Sequence, residues 1–133
     1  MSNGTTRLTD VGLLWLRLLM GLGIASHGYQ KLFGGMMAGF TQGVAQMGFP
    51  APQVFAWAAA LSEFAGGLCL ALGLGTRVAA GFVFLTMTTA VFVHHAADPF
   101  HVKELALAYW TMAGVLIFTG PGVMSAARLV GKR

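Results

Sequence analysis

The chain has 133 residues, 56% of them hydrophobic and only 9% charged, with eight Lys and Arg against four Asp and Glu for a formal net charge of +4. A water-soluble fold of this length coats most of its surface with polar groups, for which soluble domains use roughly 25% charged residues, so a soluble domain is excluded and lipid is the natural solvent. The basic residues form no run, which excludes a nucleic-acid partner and leaves their excess as the charge bias that orients a chain across a bilayer.

Hydropathy predicts an all-α polytopic membrane protein, a single domain over residues 1–133 built as a four-helix bundle with spans at 10–32, 53–74, 77–97 and 104–120. About 20 residues cross a hydrocarbon core of about 30 Å. Arg17 interrupts the first apolar run and no small-residue cleavage site follows, so this segment reads as a retained span and not as a signal peptide. Between the first two spans Met36, Met37, Phe40, Val44 and Met47 recur at helical spacing with Thr41, Gln42 and Gln46 among them, which predicts a short amphipathic helix in the first outer loop. Phe49-Pro50-Ala51-Pro52 ends that helix and starts the second span. Cys69 is the single cysteine; it excludes an internal disulfide and a paired-cysteine redox relay, and reads as a small buried hydrophobe. Spans this rich in Gly, Ala and Met are expected to associate further, as a homo-oligomer or with another membrane chain.

Basic residues near the helix ends set the orientation. Arg7, Arg77, Arg128, Lys132 and Arg133 fall on one side and only Lys31 and Lys103 on the other, which predicts cytoplasmic N and C termini. The loop from Gly34 to Gln53 and the loop carrying His94, His95, Asp98 and His101 then share the outer face, the periplasm of a Gram-negative bacterium.

Two charges lie where lipid should be: Arg17 about a third of the way along the first span, and Glu63 near the middle of the second. Each is costly unless it faces the bundle interior and finds a partner. Aligning the two spans end to end brings them within roughly 5–8 Å along the membrane normal, a gap that a long Arg side chain bridges. An Arg17–Glu63 ion pair is therefore expected, either fixing the register between helices or moving protons and binding a polar head. Lys31 lies within about 40° of Arg17 around the first helix and His27 within about 80°, while Thr86, Ala90, His94 and Asp98 repeat at i+4 on the third span. The two stripes are expected to face each other and to form, with Lys103 and Glu104 at the start of the fourth span, a pocket open to the outer leaflet.

His94, His95, Asp98 and His101 form the densest set of ligand-type side chains, suited to Zn, Cu, Ni or non-haem Fe, although Pro99 ends or kinks the helix between them. A bis-imidazole haem on His27 and His94 is a further arrangement that the residue types allow.

Arg17, then His27-Gly28-Tyr29-Gln30-Lys31-Leu32-Phe33-Gly34, then Glu63-Phe64-Ala65-Gly66-Gly67, then Gly73-Leu74-Gly75-Thr76-Arg77, resembles the DoxX family of small bacterial and archaeal membrane proteins. His94-His95, Asp98-Pro99-Phe100, Lys103-Glu104 and Gly120-Pro121-Gly122 extend the likeness, which covers residues 11–125. Members often carry Ser-Asp after the last of these motifs, where this chain has Ser125-Ala126. The resemblance implies a four-helix membrane bundle with a link to redox chemistry, since DoxX-like chains are subunits of a thiosulfate:quinone oxidoreductase and others associate with oxidative-stress complexes.

The chain carries no flavin or nicotinamide fingerprint. The leading expectation is thus an inner-membrane subunit or accessory of a quinone-linked redox system, partnered by another membrane redox chain. His27, Lys31, His94, Asp98 and Glu104 would form the ligand pocket, and Arg17 and Glu63 would act catalytically on charge and protons. A small proton-coupled transporter and a non-catalytic scaffold for a redox enzyme are the alternatives. The first needs a carboxylate free to titrate, which a paired cation opposes.

Overall fold

The computed structural model describes residues 2–131, all helical or turn with no strand among them; Lys132 and Arg133, counted above for orientation, lie outside the described residues. The helices are α1 (Ser2–Phe33), α2 (Met37–Gln46), α3 (Pro52–Leu72), α4 (Thr76–His94), α5 (Phe100–Thr119) and α6 (Ala126–Val130). Four of them, α1, α3, α4 and α5, are long and apolar enough to cross a membrane. The loop between α1 and α3 holds the expected amphipathic helix, with Val44 of α2 buried against the bundle.

Departures at the boundaries have local causes. Helix α4 ends at His94 instead of residue 97, because the chain widens into a π turn over Ala90–His94 that the His95 amide closes on the Ala90 carbonyl at 2.9 Å. Pro99, extended at φ −65° and ψ 158°, caps α5, which starts at Phe100 and not at 104. A second π turn, Ser62–Gly66, interrupts α3.

The bundle is organised by a backbone-to-backbone seam between antiparallel α1 and α3. A methyl on Gly21 would sit 2.6 Å from both the Gly67 carbonyl and the Ala71 amide, and one on Gly67 would sit 2.6 Å from the Gly21 carbonyl. Gly28 likewise lies against the backbone of Ala60 and Phe64. Small residues allow this approach, which supplies the dispersion contacts that hold helices together where no hydrophobic effect operates. Met20, Ile24, Leu70, Val83, Met87 and Leu116 close the core, with half-buried Cys69 packed at its edge, while Trp15, Leu22, Trp57, Phe82 and Phe118 face outward. Thr88, Thr111 and Thr119 return their hydroxyls to carbonyls four residues earlier, so these span hydroxyls are satisfied within their own helices.

Helix α3 packs on α4 from its π turn onward, whereas its first half packs on α1 and α2, so α3 and α4 diverge toward the end of the bundle covered by α2. The opposite end holds both described chain ends and the tight Gly73–Gly75 turn, where both glycines take positive φ.

The seam makes a specific demand on side-chain size. Gly21→Ala is expected to destabilise the protein by about 1–3 kcal/mol through overpacking. Gly81→Ala, on an α4 face with nothing within 4 Å of the new methyl, is expected to be neutral or to stabilise by up to about 1 kcal/mol. Unfolding of the two variants in the same lipid–detergent mixture checks this contrast.

Candidate functional site

The divergence of α3 and α4 opens a cavity of about 730 Å³, lined by all four spans and roofed by α2. Its walls are largely apolar, from Phe40, Val44 and Met47 on α2 to Phe55 on α3 and Phe82 and Leu85 on α4. Phe55, Phe82 and Leu85 are also exposed on the outside of the bundle, so the cavity reaches the surface that faces acyl chains.

An ion pair lies inside. Lys31 Nζ donates to both carboxylate oxygens of Glu63 at 2.7 Å, with the Glu63 side chain 3% exposed and that of Lys31 19%. The same ammonium stands 4.0 Å from the centre of the Phe40 ring, so α2 covers it with a cation–π contact. Two sequence features put the pair together: Gly28 lets α3 close on α1 three residues before Lys31, and the π turn that contains Glu63 redirects its side chain relative to a regular helix. Tyr109 of α5 meets His27 edge-on, with ring centroids 6.0 Å apart, and its hydroxyl occupies space that Gly23 leaves free. Ser62 and Thr86 share a hydroxyl hydrogen bond of 3.2 Å across α3 and α4, and His94 stands beside Gly43 of α2. Both π turns therefore border the cavity, a feature frequent at functional sites.

The expected Arg17–Glu63 pair does not form. The glycine seam sets Arg17 level with Gly73 and Glu63 level with Gly28, about ten residues apart along α3, or about 15 Å at the α-helical rise. Arg17 instead donates from Nη2 to the Met124 carbonyl. Of the remaining expected pocket residues, His27, Lys31 and His94 line the cavity, whereas Asp98 and Glu104 do not. Asp98 accepts a 2.7 Å contact from His95 Nδ1, and Lys103 Nζ donates to the Ala96 carbonyl. His94, His95, Asp98 and His101 do not converge, and no group of three or more such residues able to hold a metal occurs among the described residues. The turn that the Asp98 amide closes on the His95 carbonyl and the fresh start after Pro99 break the helical spacing on which that set depended.

Three residues carry more than the sequence reading gave them. Tyr109, a lone phenol in the apolar fourth span, and Ser62, next to Glu63, both line the cavity. Asp10 is buried at the other end of the bundle and accepts the Val123 amide at 2.9 Å. Polar groups within apolar runs were the available signal for Tyr109 and Ser62, and a carboxylate at the edge of the first apolar run was the signal for Asp10.

Comparison with known proteins places this architecture. The family model described as DoxX matches residues 12–96. Two proteins of Escherichia coli (strain K12) align over nearly their whole length: inner membrane protein YqjF, 36% identical over 96% of this chain and 98% of its own, and inner membrane protein YphA, 33% identical over 93% and 98%. No solved structure gives a significant match.

The ion pair predicts an asymmetric mutational response. Lys31→Met strands a buried carboxylate and is expected to destabilise by on the order of 3 kcal/mol, whereas Glu63→Gln leaves an ammonium whose long stem can reach water and should cost less. The double variant should recover most of the Lys31→Met loss, as measured by a double-mutant cycle of unfolding free energies.

Proposed function

Because the chain belongs to the DoxX family and is a multi-pass inner membrane protein, we propose that it is a membrane subunit or accessory of a quinone-linked redox system, and that the cavity beneath α2 receives the quinone head. The observation that carries this reading is an apolar chamber that reaches the lipid-facing surface between α3 and α4 and contains a desolvated Lys–Glu pair. That combination suits a ligand with a long hydrocarbon tail and a compact polar head: the tail lies along Phe55, Phe82 and Leu85, and the head meets polar groups at depth.

The residues fit such a head. Lys31 Nζ and the Tyr109 hydroxyl would donate to its carbonyl oxygens, His27 and His94, which also line the cavity, would carry protons, and Phe40 and Phe55 offer ring faces. Glu63 holds Lys31 in place, and Arg17 takes no part in this site. Reduction of a quinone takes up two electrons and two protons; the chain itself has one cysteine and no flavin or nicotinamide fingerprint, so a partner membrane chain would supply the electrons. The basic residues Arg7, Arg77 and Arg128 lie at the terminal end of the bundle, a charge bias that supports the reading of cytoplasmic termini and a cavity toward the outer leaflet. A proton-coupled exporter is disfavoured, because both oxygens of Glu63 are already engaged by Lys31.

The test is retention of ubiquinone or menaquinone by the purified protein in nanodiscs, followed by labelling with an azido-quinone. We expect label on residues 37–66, retention reduced several-fold by Lys31→Met, and no competition from a polyprenol of equal length. Retention no greater than that of the lipid alone refutes the reading.

A further inference from the structure

The other buried cation has no ion-pair partner among the described residues. Arg17 is 0% exposed, and beyond the bond from Nη2 to Met124 its Nε and Nη1 have no hydrogen-bond partner among the described residues. The salt bridges among the described residues are Lys31–Glu63 and His95–Asp98, so no carboxylate of the described residues is within ion-pair distance of Arg17. Asp10, the other buried charge at this end, commits Oδ1 to the Val123 amide. Two further buried groups lack partners: the hydroxyls of Ser125 and Thr76, both residues 3% exposed. Gly73 brings Arg17 and Ser125 together. A side-chain carbon on Gly73 would collide with Arg17 Nη1 and lie 2.6 Å from Ser125 Cβ, and Thr76 opens α4 three residues later in the chain.

A guanidinium keeps its proton, so its charge must be balanced where neither water nor lipid headgroup reaches it. Water in the cluster would satisfy hydrogen bonds but leave the charge. We propose that Arg17, Ser125 and Thr76 form a binding site for a small monovalent anion, chloride in the cell, at the cytoplasmic-side junction of α1, the α3–α4 turn and the segment before α6. Arg17 supplies the charge and the Nη1–H, and the two hydroxyls supply the remaining donors. Donor atoms with almost no accessible surface favour a monoatomic ion over sulfate, phosphate or a lipid phosphate. Occupancy ties the C-terminal segment to two spans and adds to stability by mass action. This site is separate from the cavity and independent of the quinone reading.

Thermal unfolding of the full chain in nanodiscs tests it, in sodium chloride, bromide and gluconate at equal ionic strength. The melting temperature is expected to rise with halide concentration and to stay flat in gluconate. Ser125→Asp, which puts a carboxylate beside Nη1, should remove the halide dependence while keeping the fold, and Arg77→Gln on the nearby surface should preserve it. Crystals grown in bromide should show anomalous scattering next to Arg17. Equal melting in halide and gluconate for the unmodified protein, or halide dependence that survives Ser125→Asp, overturns the proposal.

Discussion

Two helices in lipid gain little from hiding apolar surface, so what holds α1 to α3 is how closely their backbones approach. Gly21, Gly28 and Gly67 permit that approach and, in permitting it, decide which residues stand opposite one another. Register is the constraint from which the remainder follows. Slid by one turn, the same helices would bury Glu63 without Lys31, an unpaired charge in a medium that penalises it by several kcal/mol, and would take from Arg17 its hydrogen bond to the Met124 carbonyl. Packing and electrostatics thus select the same alignment, the kind of agreement between levels that gives a sequence one structure.

The seam also divides the molecule into two ends with different chemistry. Below it, α3, α4 and the turn between them close tightly around Arg17, Asp10 and the C-terminal segment, with side chains bonded to backbone groups of residues 123 and 124. Above it, two π turns and the divergence of α3 from α4 leave room for a chamber, and α2 roofs it through Phe40 and Val44. One end is a clasp and the other a container. Glu63, an enclosed charge of the chamber, is held by a lysine whose ammonium meets the roof at Phe40, so α2 and the ion pair are mechanically linked.

Much of this was legible in the sequence, for physical reasons that can be named. Long apolar runs gave the four spans, and Met36, Phe40, Val44 and Met47 at helical spacing gave the roof helix, because both signals are local. Glu63 was identifiable as a charge in need of a cation. Its partner was not, since aligning span ends took Arg17 while the glycine contacts, which are long-range, select Lys31. The π turns at Ser62 and Ala90 have no sequence signature comparable to a cap or a proline, and they moved the helix end that would have assembled His94, Asp98 and His101. Tyr109 escaped because one phenol in an apolar span looks like packing until the helix opposite it is known.

The measurement that bears most directly on the account is a magic-angle-spinning distance experiment in lipid bilayers, with ¹⁵N at the Lys and Arg side chains and ¹³C at the Glu carboxylates. A strong dipolar coupling between Lys31 Nζ and the Glu63 carboxyl carbon, with none from the Arg17 guanidinium, is the predicted result. A coupling of Glu63 to Arg17 in place of Lys31 would show that the helices sit in another register and would remove the chamber as described.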